Sequence, residues 1–168
     1  MNKSWNQEEY LDHGRVAENK FARHAQDFGW DVSFSDSEQD MNEHWDVKIE
    51  RGDQRYRIDV KAMKKLNRSD RSAQDNFAWI ELHGVGARNY GWLYSGKADY
   101  VAFETKTGFV IPKRRELVEY IYKTVNFNKV VSIPEAALYC VYGRKGREDK
   151  LTLVAMDDLR KLEQLSLR

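Results

Sequence analysis

The sequence predicts a mixed α/β fold in one domain, residues 1–168, with mostly antiparallel strand neighbours. Three observations lead there. Ala17, Phe21, Ala25 and Phe28 recur at helical spacing near the start. Several short segments downstream alternate apolar and polar residues, and turn chemistry joins them in pairs. A chain of 168 residues with 41% hydrophobic content can bury roughly two-thirds of its unfolded surface in one core without staples. No repeat or low-complexity tract divides it, and Pro112 and Pro134 form no linker.

In chain order, Gly14 and Gly29 bracket an amphipathic helix over residues 13–28. Residues 30–34 alternate as a first strand, and the polar residues 35–43 read as a loop. Trp45, Val47 and Ile49 then alternate with Asp46, Lys48 and Glu50. After the turn residues 51–54, Tyr56, Ile58, Val60 and Ala62 alternate with Arg57, Asp59 and Lys61, which predicts a β-hairpin with one apolar and one polar face. Residues 78–82 form a further strand, 100–105 and 108–111 a second hairpin, and Arg114–Thr124 a helix. A third hairpin over 139–142 and 151–155 leads into a final helix over 156–165.

Composition excludes several classes of function. The single Cys140 rules out an intrachain disulfide framework and multi-cysteine zinc sites. His13, His24, His44 and His83 have no zinc spacing, and residues 84–86 and 143–146 match no phosphate-binding or dinucleotide fingerprint. Asp36, Glu38, Asp40 and Asn42 begin like a calcium loop, but Met41 stands where glycine is needed and Val47 where the closing glutamate belongs. The longest apolar stretch, 136–142, is far short of a membrane span, and the polar start has no signal-peptide core, so the expectation is an intracellular, cytoplasmic protein. Net charge is only +1, yet it is unevenly spread: residues 1–50 hold five basic and 12 acidic side chains, net −7, which leaves +8 for the rest. The excess peaks over residues 51–71, a candidate polyanion footprint.

The first hairpin carries the chemistry. A four-residue loop sets Glu50 opposite Arg55, and that register places Asp46 opposite Asp59; a three-residue loop would instead turn Asp46 to the other face. Directly opposed side chains have Cβ atoms about 5 Å apart. Two carboxylates that close repel unless a cation lies between them, and Lys61 projects from the same face two residues on. An all-oxygen pair with room for water suits Mg²⁺, and Mn²⁺ would substitute. Such an ion polarises a phosphodiester and acidifies its attacking water, while Lys61 orients that water or stabilises developing charge.

Glu18 on a first helix, Asp46 on a strand and Asp59-Val60-Lys61 on the next strand together resemble the PD-(D/E)XK nuclease superfamily, most closely its small Holliday-junction-resolvase and phage-type members. The resemblance covers about residues 14–63 by motif. It implies a restriction-endonuclease-like mixed β-sheet flanked by helices, Mg²⁺ held by Asp46, Asp59 and Glu18, and Lys61 assisting the water. It also implies DNA, duplex or branched, as substrate. Two departures stand out: Trp45 replaces the proline of the first half-motif, and the second carboxylate is Asp rather than the commoner Glu. The different-class alternative is an inactive nucleic-acid-binding or interaction protein on the same fold.

Other residues extend this expectation. Lys64, Lys65, Arg68 and Arg71 follow Lys61 and would hold phosphates without reading sequence. Lys113, Arg114 and Arg115 open a helix, where cations oppose the dipole unless a phosphate is near. Glu81 would add a metal or water contact if its strand lay beside Asp59-Val60-Lys61. The aromatic and glycine-rich residues 90–97 read as core or a dimer contact more readily than as a base-stacking surface. A two-fold homodimer would be the simplest way to cut both strands.

Overall fold

The computed structural model describes residues 7–83 and 91–168, with side chains in the first helix from residue 13 onward. Helix α1 (Gln7–Asp27) is followed by β1 (Asp31–Phe34), α2 (Ser37–Glu43) and the hairpin β2 (Val47–Arg51) and β3 (Gln54–Lys61). Then come β4 (Phe77–His83), the short α3 (Trp92–Ser95), β5 (Tyr100–Thr105), β6 (Gly108–Val110) and α4 (Arg114–Thr124). The chain ends with β7 (Asn126–Val131), β8 (Cys140–Gly143), β9 (Lys150–Ala155) and α5 (Met156–Leu159). Among the described residues no helix is long and apolar enough to cross a membrane.

The strands form two sheets, a five-stranded one in the order β1-β2-β3-β5-β6 and a four-stranded one in the order β4-β9-β8-β7. Both are mixed: β3 pairs parallel with β5 and β7 parallel with β8, while the other neighbours are antiparallel. A parallel pair needs a long crossover, and here residues 62–99 supply it by sending β4 out to the second sheet before returning. The alternation of residues 78–82 predicts a strand without saying which sheet receives it.

At its centre the first sheet is buried on both faces, while β1 and the polar face of the β2–β3 hairpin meet water. Ala17, Phe21 and Ala25 of α1 pack on Val47, Ile49, Ile58, Val60 and Ala102, whereas Val101 and Phe103 face Ile80, Leu93, Leu117 and Val154 between the sheets. All six side chains of β5 are therefore buried, as a central strand covered on both sides requires. Gly91 is held by contact, because an added Cβ would lie 2.1 Å from the Glu81 carbonyl oxygen of β4. Beside it, Leu93 is fully buried, and Trp92 and Tyr94 pack against the same core, which agrees with the core reading of this segment. Tyr90 and residues 84–86 lie outside the described residues.

Three local expectations are corrected. Within residues 35–43, read as a loop, Ser37–Glu43 form a helix: Asp36 accepts from Gln39 N (2.8 Å) and the Gln39 side chain accepts from Asp36 N (3.1 Å), a reciprocal cap. Helix α2 buries no residue, so no apolar stripe announces it. The last helix stops at Leu159 instead of residue 165, because tertiary hydrogen bonds take over: Lys113 N donates to Glu163 O (2.9 Å) and Leu165 N to Ile111 O (2.9 Å). Strand β7, an exposed edge, carries no alternation and was not foreseen.

Candidate active site

The observed register of the first hairpin runs from Arg51↔Gln54 to Val47↔Ile58, the register expected, although Arg51 and Gln54 themselves pair and leave a two-residue turn, Gly52-Asp53, in place of a four-residue loop. Asp46 lies one step beyond the end of β2, close enough to Asp59 to feel its charge, where β3 continues alongside β5 to Lys61. Asp46 N still donates to Ile58 O (2.9 Å), and the Asp46 carboxylate accepts from Val60 N (2.7 Å). A side-chain oxygen thus satisfies an amide that the departing strand leaves without a ladder partner.

Asp59 is 3% exposed, and its Oδ1 pairs with Lys61 Nζ at 2.8 Å. The Lys61 ammonium also lies 4.4 Å from the centre of the Trp92 ring, a cation–π contact that sets its position from α3. Burial and then the neighbouring Asp59 charge push Asp46 up to about 8, against the opposing pull of Lys61 and the Val60 amide. Glu18 is raised too, by burial first and then by Asp40, with Asp59 adding and Arg15 and Lys61 opposing. Glu18 of α1, Asp46 just before β2 and Asp59 of β3 thus act on one another and on Lys61, and Asp40 of α2 acts on Glu18.

The sequence reading missed Asp40, because α2 was taken for a loop; the Asp36 to Gln39 capping spacing was the available signal. It also missed Glu104. This 8%-exposed carboxylate accepts from Lys20 Nζ (2.7 Å) and Met63 N (3.1 Å), fastening α1 and the chain just past Lys61 to β5. No local pattern marks it, since its partners come from distant segments.

Among the described residues no group of three or more carboxylate, imidazole or thiol side chains is close enough to hold a metal ion. The donor set that fits Mg²⁺ is the Asp46–Asp59 pair, since this ion takes one or two carboxylates and fills its other positions with water and phosphate oxygens. Glu18 stands by that pair electrostatically. Glu81 lies on β4 in the second sheet, so β4 is not the strand beside Asp59-Val60-Lys61; β5 is.

The predicted phosphate-binding cations divide into two groups. Lys64, Lys65, Arg68 and Arg71 are exposed on the loop that leaves β3. At the start of α4 the cations have internal partners instead. Arg114 donates to Ala98 O (2.8 Å) and Leu93 O (2.9 Å), Lys113 pairs with Glu163 (3.5 Å), and Arg115 pairs with Glu119 (3.6 Å). Backbone carbonyls, not a phosphate, answer the charge of Arg114. Arg51, counted in the basic run, lies over the Trp30 ring and donates to Phe28 O (2.9 Å) and Leu167 O (3.1 Å), anchoring the tail.

No protein-family model and no curated protein sequence matches the chain. Among solved structures, the bacterial homing endonuclease I-Ssp6803I is similar over 66% of this chain and 72% of that one, with 15% identity and a TM-score of 0.49.

Proposed function

We propose that this chain is a Mg²⁺-dependent nuclease of PD-(D/E)XK type that hydrolyses DNA phosphodiester bonds. The carrying observation is the half-buried Asp46 within the field of the buried Asp59, with Lys61 paired to Asp59, where β2 and β3 part. Folding alone gives no reason to hold two carboxylates within each other's field with one of them buried, and Asp46, itself partly desolvated, takes up a proton more readily.

Asp46 and Asp59 would hold the Mg²⁺, with Mn²⁺ as a substitute. When bound, the ion supplies polarisation of a phosphodiester oxygen and acidification of a water. Lys61 has three N–H donors and no acceptor. One faces Asp59, and the others are left to orient the attacking water and to meet charge that develops on the phosphoryl oxygens. Trp92 limits where that ammonium can swing. Glu18 and Asp40 keep the local potential negative, which favours cation uptake. Lys64, Lys65, Arg68 and Arg71 would hold phosphates next to the site, and a two-fold dimer would bring two such sites to two strands.

The test is cleavage of plasmid, linear duplex and four-way-junction DNA in Mg²⁺, Mn²⁺ or EDTA, with wild type, Lys61→Ala and Asp59→Asn compared. Metal-dependent cutting that both substitutions abolish is expected. Salt-sensitive binding without cutting on any substrate, unchanged by either substitution, would select the non-catalytic binding protein instead.

A further inference from the structure

One face of the second sheet presents an aromatic pair that the proposed cleavage site does not use. Ala78, Ile80 and Leu82 of β4 are buried, so Trp79 and Glu81 project from the opposite face and remain half-buried. The pairings Trp79↔Leu153, Glu81↔Leu151 and Tyr142↔Leu151 put Tyr142 on that face too, diagonal to Trp79 across β9. Their ring centroids are 5.2 Å apart with planes inclined by 37°. The Trp79 indole N–H donates to Lys65 O (3.2 Å), which fixes the ring from the basic loop.

That loop links the two places. It leaves β3 just after Lys61, and its neck is closed where Gln74 N and Nε2 both donate to Lys64 O (3.1 Å each). Gln74 Oε1 in turn accepts from Phe77 N (2.8 Å) at the start of β4. Partial desolvation and then the Lys61 charge pull the Lys64 ammonium below its usual range, with Glu81 and Asp59 opposing, so Lys64 lies within reach of both the Asp59–Lys61 pair and Glu81. Lys64 and Lys65 are exposed.

We propose that this face binds an unpaired DNA strand, with bases stacking on Trp79 and Tyr142 while Lys64 and Lys65 hold its phosphates beside Asp46, Asp59 and Lys61. The inference rests on the nuclease reading and narrows its substrate to DNA with a single-stranded portion, such as a flap, an end or a branch. The occupant follows from two complementary features, ring faces and cations. Every base offers a π-face to an aromatic side chain when its strand is unpaired, but in a duplex neighbouring bases already cover those faces.

The test uses the full chain in EDTA, where nothing is cut, and measures the anisotropy of a short fluorescein-labelled oligothymidylate and of a duplex of equal length. Tyr142→Leu is expected to weaken oligothymidylate binding about 5- to 100-fold and to change duplex binding less than about twofold. On the wild-type chain the oligothymidylate is expected to quench tryptophan emission, and Trp79→Phe to remove that quench. No quench in the wild type, unchanged oligothymidylate binding by Tyr142→Leu, or an equal loss for both DNA forms overturns the proposal. Because no metal is present, this result is independent of whether Lys61→Ala abolishes cleavage, so each reading can fail without the other.

Discussion

The β2–β3 hairpin brings charges together at both ends, and the two ends handle them in contrary ways. Near the turn, Glu50 faces Arg55 and pairs with it, Lys48 approaches at 3.8 Å, and all three side chains keep a third or more of their surface in water. Just past the other end of the ladder Asp46 lies in the field of Asp59, like charge near like, with Asp59 almost fully buried. Opposite charges on a wet surface contribute little and need no further explanation. Like charges held out of water lower stability, so their presence calls for a cation that the fold itself supplies only in part, through Lys61. The contrast teaches where to look for function: at charges that folding would not have placed.

Lys61→Ala tests that contrast with the largest expected effect. Single-turnover cleavage in Mg²⁺ should fall about 100-fold or more, while DNA affinity stays close to wild type and the melting temperature in EDTA falls, because Asp59 loses the ammonium that pairs with it. Retained cleavage would break the assignment of Lys61.

Asp46→Asn comes next and can be read without any substrate. Asp46 has its folded pKa raised from 3.8 to about 8, so between those values the folded chain keeps a proton that the unfolded chain has released. Wild-type stability in EDTA should therefore fall as pH rises through that window, by up to about 1.4 kcal/mol per unit. In Asp46→Asn this component disappears, and the melting temperature at pH 8 should exceed that of wild type. Mg²⁺ should raise the wild-type melting temperature more at pH 8 than at pH 6, since the ion competes with the proton. Thermal melts across this range decide it, and a lower melting temperature for the variant at pH 8 would make Asp46 a structural residue.

The cations sharpen the comparison further. Arg114→Ala strips hydrogen bonds from the Leu93 and Ala98 carbonyls and should lower stability by about 1–3 kcal/mol, leaving the salt dependence of DNA binding unchanged. Lys64→Ala should do the reverse, with stability nearly constant and the slope of log affinity against log salt reduced by about 1. Denaturant titration and binding at several salt concentrations separate the two. The smallest effect belongs to the turn end, where Arg55→Ala should change stability by less than about 1 kcal/mol; a larger loss would show that this pair is more than surface charge.

The candidate site was legible because loop length sets hairpin register, and register decides which side chains meet. The turn chemistry of residues 51–54 sufficed to set the register from Glu50↔Arg55 to Val47↔Ile58, which leaves Asp46 near Asp59 just past the last pair. Helix α2 escaped notice because its signal is a cap rather than a stripe, and with it went Asp40. The roles of Arg114 and Glu104 escaped for another reason. Their partners lie 16 and 21 residues away for Arg114, and 84 and 41 residues away for Glu104, separations over which no local periodicity speaks.

By itself, then, the sequence determined what depends on neighbours in the chain: the buried stripe of α1, the alternation of the hairpins, and the like-charge pair with its lysine. Tertiary structure decided what depends on packing. It sent β4 and β9 to a second sheet, placed β5 parallel beside β3, laid Trp92 against Lys61, and drew Arg114 onto backbone carbonyls while leaving the loop cations exposed. The physical reason is that periodicity and turn chemistry act over a few residues, whereas the burial and hydrogen-bond partners that settle a charge's fate come from segments that meet only once the chain has folded.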